Sequence, residues 1–411
     1  MKKKIDIAQL QVGMFMEADI KEGAKGAANK NVLLLGKGVL ITSENQIRRL
    51  REAGLENVTI DTTKGKDADG GVQVDAPLPA PTQREPRKKL APGRTVEFKE
   101  ELKIARKTKG AVQKALKGVM ESVALGGAMD REKLDLAGKL MTQSIFRNVD
   151  AMVGLTRIKE YDAYTAGHCV NVCTLVVAVA HADGMDQATC EMLATATLLH
   201  DIGKTKVPLE ILNKPGRFEP HELAEMRKHP LYGEEILKDM KGVTEETMYI
   251  ATQHHEMWDG SGYPYKLSGE QIHRFGQMTA VADVYDALTA ARVYKPALPP
   301  HFALSRIYSN RDKEFRADIV ELFVKCLGLY PVGSLILLST GEIGIVAEPN
   351  PLNSRKPKVG IIVTKYKKPK LVPIMVDLAE PNLQGDREIV KVLDPTQHKI
   401  DVEAYLKRVT G

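Results

Sequence analysis

Between Tyr164 and Thr289, five histidines and two aspartates fall on, or at the ends of, segments that are otherwise apolar at helical spacing. They are His168, His200, Asp201, His229, His254, His255 and Asp283. Burying so many polar groups in a helical core is costly unless they bond one another or ligate metal. A donor set of imidazoles and carboxylates without thiolate suits iron, manganese or nickel as well as zinc.

Taken singly, each signal is weak. Leu199 to Lys204 reads Leu-His-Asp-Ile-Gly-Lys and closes an apolar helix over Ala188 to Leu199, with Gly203 placed as its stop. A His-Asp doublet offers an imidazole for one metal and a carboxylate able to bridge two, yet isolated doublets are mostly turn or surface pairs. A lone histidine on an apolar face is usually a satisfied core residue. The loop Asp259-Gly-Ser-Gly-Tyr-Pro264 is ordinary turn chemistry, and only its position directly after His254-His255 favours a functional reading. His181, His221, His273, His301 and His398 fit no ligand position and read as surface or capping residues. Met226, Met240 and Met248 read as core.

At 411 residues the chain exceeds one ordinary core. Residues 1–62 read as a small α/β unit, with strands at Val32–Leu35 and Val58–Asp61 and a helix over Glu44–Ala53. Residues 63–95 have the Pro, Gly and charge content of a linker. Residues 96–145 form a helical connector, whose first helix, Glu97 to about Val123, carries an apolar stripe of Leu102, Ala105, Val112, Leu116 and Val119. That stripe suits packing on a partner or on a second copy of the chain. Residues 146–330 are dominated by helical patterns. Residues 331–411 change to short β-rich runs, as in a small meander or barrel. The expected fold is therefore multidomain: a small α/β N-terminal domain, an all-α core and a β-rich C-terminal tail.

Charge and cysteine usage narrow the function. Twelve Lys/Arg against four Asp/Glu lie between Arg84 and Lys117, and seven Lys/Arg with no acid between Arg355 and Lys370. Neither run sits on a recognisable recognition element, so both read as solvated surface and nucleic-acid binding is disfavoured. Cys169, Cys173, Cys190 and Cys326 form no C-x-x-C pair and read as free thiols in a reducing compartment. No apolar stretch follows the basic N-terminus, and Val172–Ala180 is too short for a membrane span. The expectation is a cytoplasmic protein.

The order His168, His200-Asp201-x-x-Lys204, His229, His254-His255, Asp283 resembles that of HD-domain phosphohydrolases. The stretch His254 to Pro264, ending Gly262-Tyr263-Pro264, is similar to the HD-GYP branch, the bacterial cyclic di-GMP phosphodiesterases. Val207-Pro208, Lys214-Pro215-Gly216, Ala287-Leu288-Thr289, Arg292 and Tyr294-Lys295 also match. The resemblance implies an HD-type helical bundle over about residues 145–330 and hydrolysis of cyclic di-GMP to linear pGpG, GMP or both. It implies one divalent ion on His168, His200, Asp201 and Asp283, and a second sharing Asp201 and held by His229, His254 and His255. Iron or manganese is expected, with nickel and zinc as further candidates.

By the same resemblance, Asp201 and Lys204 are catalytic, and Asp286, Arg292, Lys295 and Gly262-Tyr263-Pro264 contact substrate or flank it. The loop would also meet GGDEF-domain cyclases. Relatives with a third ion use a glutamate four residues before the first ligand, where this chain has Tyr164, so two ions are expected. The competing functions are a catalytically silent cyclic di-GMP receptor and a hydrolase of another phosphoester such as a different cyclic dinucleotide. The intact ligand set disfavours the first; Gly262-Tyr263-Pro264, Arg292 and Lys295 disfavour the second.

Overall fold

The structure is a computed structural model and describes residues 2–11, 14–17, 39–41, 47–48, 51, 57–62, 72–73, 95–157, 164–240, 242–290, 297–350, 352–380 and 387–410. The chain divides into two compact units, Met1–Leu78 and Pro79–Gly411.

The first unit is a five-stranded antiparallel sheet. Its strands are β1 (Lys2–Asp6), β2 (Phe15–Glu17), β3 (Val39–Leu40), β4 (Asn57–Asp61) and β5 (Val72–Gln73), in the order β3-β2-β4-β1-β5. Ile5, Met14, Met16, Ile41, Val58 and Ile60 are among its core residues. The expected strand Val58–Asp61 lies within β4. The Val32–Leu35 candidate lies outside the described residues, and of Glu44–Ala53 only Ile47, Arg48 and Arg51 are described, all helical. Val72–Gln73, inside the expected linker, pairs with Lys3 and Lys4 of β1.

The second unit begins with α1 (Phe98–Ala124), α2 (Arg131–Arg147) and α3 (Val149–Leu155). The apolar stripe of α1 is buried at every expected position, against α2, α3 and the following helix, so it is spent within this chain rather than offered to a second copy. Glu101 is fully buried beneath it and accepts from Arg147 Nε at 2.7 Å, Arg147 Nη2 at 2.9 Å and Ser144 Oγ at 2.6 Å, which ties α1 to α2. Asp130 starts α2 by accepting from the Lys133 N–H.

The bundle continues with α4 (Tyr164–Asp183), α5 (Gln187–Leu198), α6 (Leu209–Leu212), α7 (Pro220–Met226), α8 (His229–Lys238), α9 (Glu245–Gln253), α10 (Arg274–Thr289), α11 (Pro300–Ser309) and α12 (Ala317–Leu327). Helix α4 runs through the middle. Its stretch Thr165–Asp183 is long and apolar enough to cross a membrane, but 83% of it is buried inside the protein, as befits a core helix. Cys169, Cys173 and Cys190 are free thiols buried around it.

The C-terminal part is a five-stranded antiparallel sheet of β6 (Leu335–Leu338), β7 (Ile343–Glu348), β8 (Lys358–Val363), β9 (Pro369–Asp377) and β10 (Ile389–Leu393). Strands β6 to β9 form a meander, and β10 returns to pair with β6. Helices α13 (Pro395–His398) and α14 (Val402–Thr410) follow, and α14 packs on β7 and β9.

Candidate metal centre

The polar cluster forms where α4, the end of α5, α8, the end of α9 and α10 meet. His168 lies on α4 and Asp283 on α10, His229 is the first residue of α8, and His254-His255 directly follow α9. His200 and Asp201 occupy the junction where α5 tightens into a 3-10 turn, Ile202–Lys206, with His200 N–H bonding Thr197 O at 3.2 Å and Lys204 N–H bonding Asp201 O at 3.0 Å. Gly203, expected as a helix stop, is inside this turn. A Cβ there would lie 1.9 Å from His229 O and 2.3 Å from Gly233 N. Glycine at 203 is what lets the turn rest against the start of α8 and bring His229 to Asp201.

All seven expected ligands converge. The donor atoms of His168, His200 and Asp283 lie within 4.8 Å of one another, as do those of His229, His254 and His255. Asp201 stands between the two sets. Its Oδ2 is 3.4 Å from His200 Nε2 and 3.7 Å from His168 Nε2, whereas Oδ1 is 3.3 Å from His229 Nε2 and 3.7 Å from His254 Nε2. His168 Nε2 is 2.9 Å from Asp283 Oδ1.

The tautomers follow from what lies behind each ring. His200, His229 and His254 donate from Nδ1 to the carbonyls of Thr197 (2.8 Å), Met226 (2.8 Å) and Ile250 (3.0 Å). A carbonyl can only accept, so each Nε2 turns a lone pair toward the cluster. His229 Nε2 and His254 Nε2 face each other at 3.3 Å. His200 Nε2 and Asp201 Oδ1 are buried without a hydrogen-bond partner. Orphaned acceptors at the centre of a convergent set fit bound cations, which supply the missing partner.

Electrostatics agree. Burial drives His200 down to about 4 and His229 to about 3, and it lowers His254 and His255 as well, so these four are neutral near pH 7. Burial also pulls His168 down, but Asp283 and Asp286 outweigh it and lift it to about 9. Burial opposes ionisation of Asp201, yet Lys204 and the surrounding imidazoles hold it well below the usual carboxylate range. Lys204 Nζ sits 2.6 Å from Asp201 Oδ2, with its side chain partly exposed. Burial opposes its charge, but Asp201 and Asp283 raise its pKa, so it remains an ammonium.

The loop after His255 is fitted to the centre. A Cβ on Gly262 would come within 2.4 Å of Met257 N and 2.6 Å of His255 O, so only glycine allows this fold-back. Tyr263 stacks on His255, ring centroids 4.7 Å apart, and donates its N–H to His255 O at 3.1 Å, with Pro264 next in line. Buried Glu256 accepts from the N–H groups of Tyr265 (2.7 Å) and Leu267 (3.1 Å) and so braces the loop.

Asp286, expected at the substrate, is buried, with Oδ2 2.8 Å from His168 Nδ1 and Oδ1 accepting from Asn171 Nδ2 at 3.0 Å. It therefore orients His168 from behind while bordering the cavity on that side. Arg292, Lys295 and the side chain of Tyr164 lie outside the described residues.

Sequence reasoning passed over Asn171 and Glu256. The first sits one turn beyond His168 on α4, and the second directly follows the double histidine; those positions were the only signals. Cys169 places its Sγ near the ligand atoms of His200 and Asp201, but burial and the Asp201 charge keep the thiol protonated, as a packing neighbour. His181, read as surface, is buried against Phe146. His273 does cap a helix, accepting from the Phe275 N–H at the start of α10.

Residues 139–319 match the HD domain family, and residues 2–134 match a domain of unknown function (DUF3391). The chain is 33% identical over 389 residues to the cyclic di-GMP phosphodiesterase PA4108 of Pseudomonas aeruginosa, covering 94% of this chain and 91% of that protein. It is 35% identical over 193 residues to the 3'3'-cGAMP-specific phosphodiesterase 2 of Vibrio cholerae, covering 44% of this chain and 37% of that one. Among solved structures it is similar to Bd1817, a HDG"Y"P protein from Bdellovibrio bacteriovorus, at 19% identity and a TM-score of 0.46, over 79% of this chain and 98% of that one.

Proposed function

This chain belongs to the HD-domain family that includes the cyclic di-GMP phosphodiesterases, and we propose that it hydrolyses cyclic di-GMP at a centre of two divalent metal ions. The observation that carries this is Asp201. Its two oxygens face separate donor sets, and Oδ1 is buried with nothing to bond. One ion is assigned to His168, His200, Asp201 and Asp283, the other to Asp201, His229, His254 and His255. Nitrogen and oxygen donors favour iron or manganese, and nickel or zinc also fit. Bound there, the ions supply activation of water and neutralisation of phosphoryl charge.

The chain's own groups do the rest. Lys204 holds its proton beside Asp201 and faces the growing charge on the phosphoryl or leaving oxygen. Asp286 fixes the ring of His168. Tyr263 fixes His255, and Gly262-Tyr263-Pro264 flanks the substrate. Arg292 and Lys295 grip phosphate and guanine, a guanidinium being suited to bidentate contact. Asp259, Ser261, Tyr265 and Lys266 are exposed along the outer side of the loop, the surface we assign to GGDEF-domain partners. The catalytic domain is assigned to residues 146–330, the remaining segments being accessory.

The test is to incubate metal-loaded protein with cyclic di-GMP and, separately, 3'3'-cGAMP, and to separate the products by chromatography, with Asp201→Ala alongside. Wild type is expected to yield pGpG, GMP or both from cyclic di-GMP, and Asp201→Ala neither. Untouched cyclic di-GMP refutes the proposal, and turnover of 3'3'-cGAMP alone moves the substrate to that dinucleotide.

A further inference from the structure

A cavity with a volume of about 310 Å³ lies beside the ligand cluster rather than over it. Of the seven ligands only His168 reaches its wall, together with Asn171 and Asp286. Part of the lining comes from outside the segment that matches the HD domain. Helix α1 contributes Arg106, Lys109 and Gln113, and the C-terminal segment contributes Thr396 and Leu406. The volume is at the lower end of small-molecule sites, roughly 300–1,000 Å³, so it admits one nucleoside and not a whole dinucleotide.

We infer that this cavity is a guanosine subsite, built by the connector helix and the C-terminal extension, which seats the half of the cyclic dinucleotide that is not being cleaved. The inference rests on the substrate reading above. A cyclic dinucleotide carries two phosphodiesters and two bases, so with one phosphodiester at the cluster a base must lie to its side, next to a ligand such as His168. Two lining residues keep buried polar atoms without a hydrogen-bond partner: Asn171 Oδ1, an acceptor, and Arg157 Nε, a donor. A guanine edge offers the complement, with amino and imino donors for the amide oxygen and O6 or N7 for a guanidinium.

Arg106 and Lys109 add positive charge to the α1 wall, the side on which the second phosphodiester falls. Lys109 is held in place by donating to Leu155 O at 2.6 Å. Of the acids among the described lining residues, Asp286 is engaged by His168 and Asn171, and Glu403 pairs with Lys407 at 2.9 Å.

The test uses the full-length, manganese-loaded protein and two substrates, cyclic di-GMP and bis(p-nitrophenyl) phosphate, a phosphodiester too small to occupy both places. Gly110 lies on the cavity wall in α1, and a Cβ there meets nothing within 4 Å, so Gly110→Trp starts a bulky side chain at that wall from an unhindered Cβ and removes a helix-weakening glycine. The ratio of kcat/KM for cyclic di-GMP to that for the small diester is expected to fall at least tenfold, mainly through KM. Arg106→Ala, at an exposed position, should lower the same ratio about fivefold, with partial rescue by Arg106→Lys. Wild-type protein that cleaves only the small diester defeats the substrate reading and the subsite with it. Wild-type turnover of cyclic di-GMP with a ratio within twofold for Gly110→Trp overturns the subsite alone, and an unmoved ratio for Arg106→Ala overturns the place given to the second phosphodiester.

Discussion

Gly203→Ala tests the contact that brings His229 to Asp201. The added Cβ would start 1.9 Å from His229 O and 2.3 Å from Gly233 N, both backbone atoms that no rotamer change can move. Ordinary contact begins near 3.4 Å, so the 3-10 turn and the start of α8 must separate by about 1.5 Å. Overpacking of this kind costs about 2–3 kcal/mol, or roughly 5–10 °C in Tm for a helical domain of this size. The larger effect is on the site, because misplacing a reacting group by ~1 Å costs on the order of a hundredfold in rate. The partner glycine is the control. A Cβ on Gly233 meets its nearest neighbours at 3.6–3.9 Å, so Gly233→Ala should be tolerated and should gain a few tenths of a kcal/mol in helix propensity. Metal content, melting temperature and cyclic di-GMP turnover would be measured for both variants. Gly203→Ala with wild-type metal content and turnover would refute the reasoning, as would equal damage from Gly233→Ala.

Three further outcomes are expected. In metal-free protein His168, raised to about 9, carries a proton at pH 7 that a metal must displace; loading should therefore release about one proton per chain from this residue, and affinity should climb as pH rises toward 9. Calorimetry in buffers of different ionisation enthalpy reads this directly, and pH-independent binding without proton release contradicts it. Arg292→Ala should keep its metal but lose about 2 kcal/mol of transition-state stabilisation, roughly thirtyfold in kcat/KM, with Arg292→Lys rescuing in part; unchanged kinetics removes Arg292 from the substrate site. Glu101→Ala deletes the buried member of an ion pair whose Arg147 partner still reaches water, so chemical denaturation should show a loss of about 2–3 kcal/mol with no change in metal content, and a loss under 0.5 kcal/mol would contradict that role.

The polar cluster was legible because a polar residue on an apolar helix has few structural explanations, and seven of them in chain order have fewer still. What lay hidden depends on which helices touch. Gly203 looked like a helix stop because the carbonyl of His229, the atom that forbids a side chain there, is 26 residues away in sequence. That Asp286 also bonds His168 and Asn171 with its two oxygens could not be read from the sequence, because it depends on α10 packing on α4. The stripe on α1 reads alike for self-association and for internal packing, and only the neighbouring helices distinguish them. Strand β9 escaped notice because an edge strand tolerates proline, here Pro369 and Pro373, and its side chains are mostly exposed, leaving no alternation to read.

The central claim is that Asp201 bridges two ions in a buried imidazole and carboxylate cage. Elemental analysis of anaerobically purified protein, repeated for Asp201→Ala, tests it most directly. Wild type should hold about two transition-metal ions per chain, most of them iron or manganese, and Asp201→Ala should lose both while keeping its helix content. A wild-type chain that retains no metal under any loading condition, or an Asp201→Ala variant that retains both ions, would contradict the account.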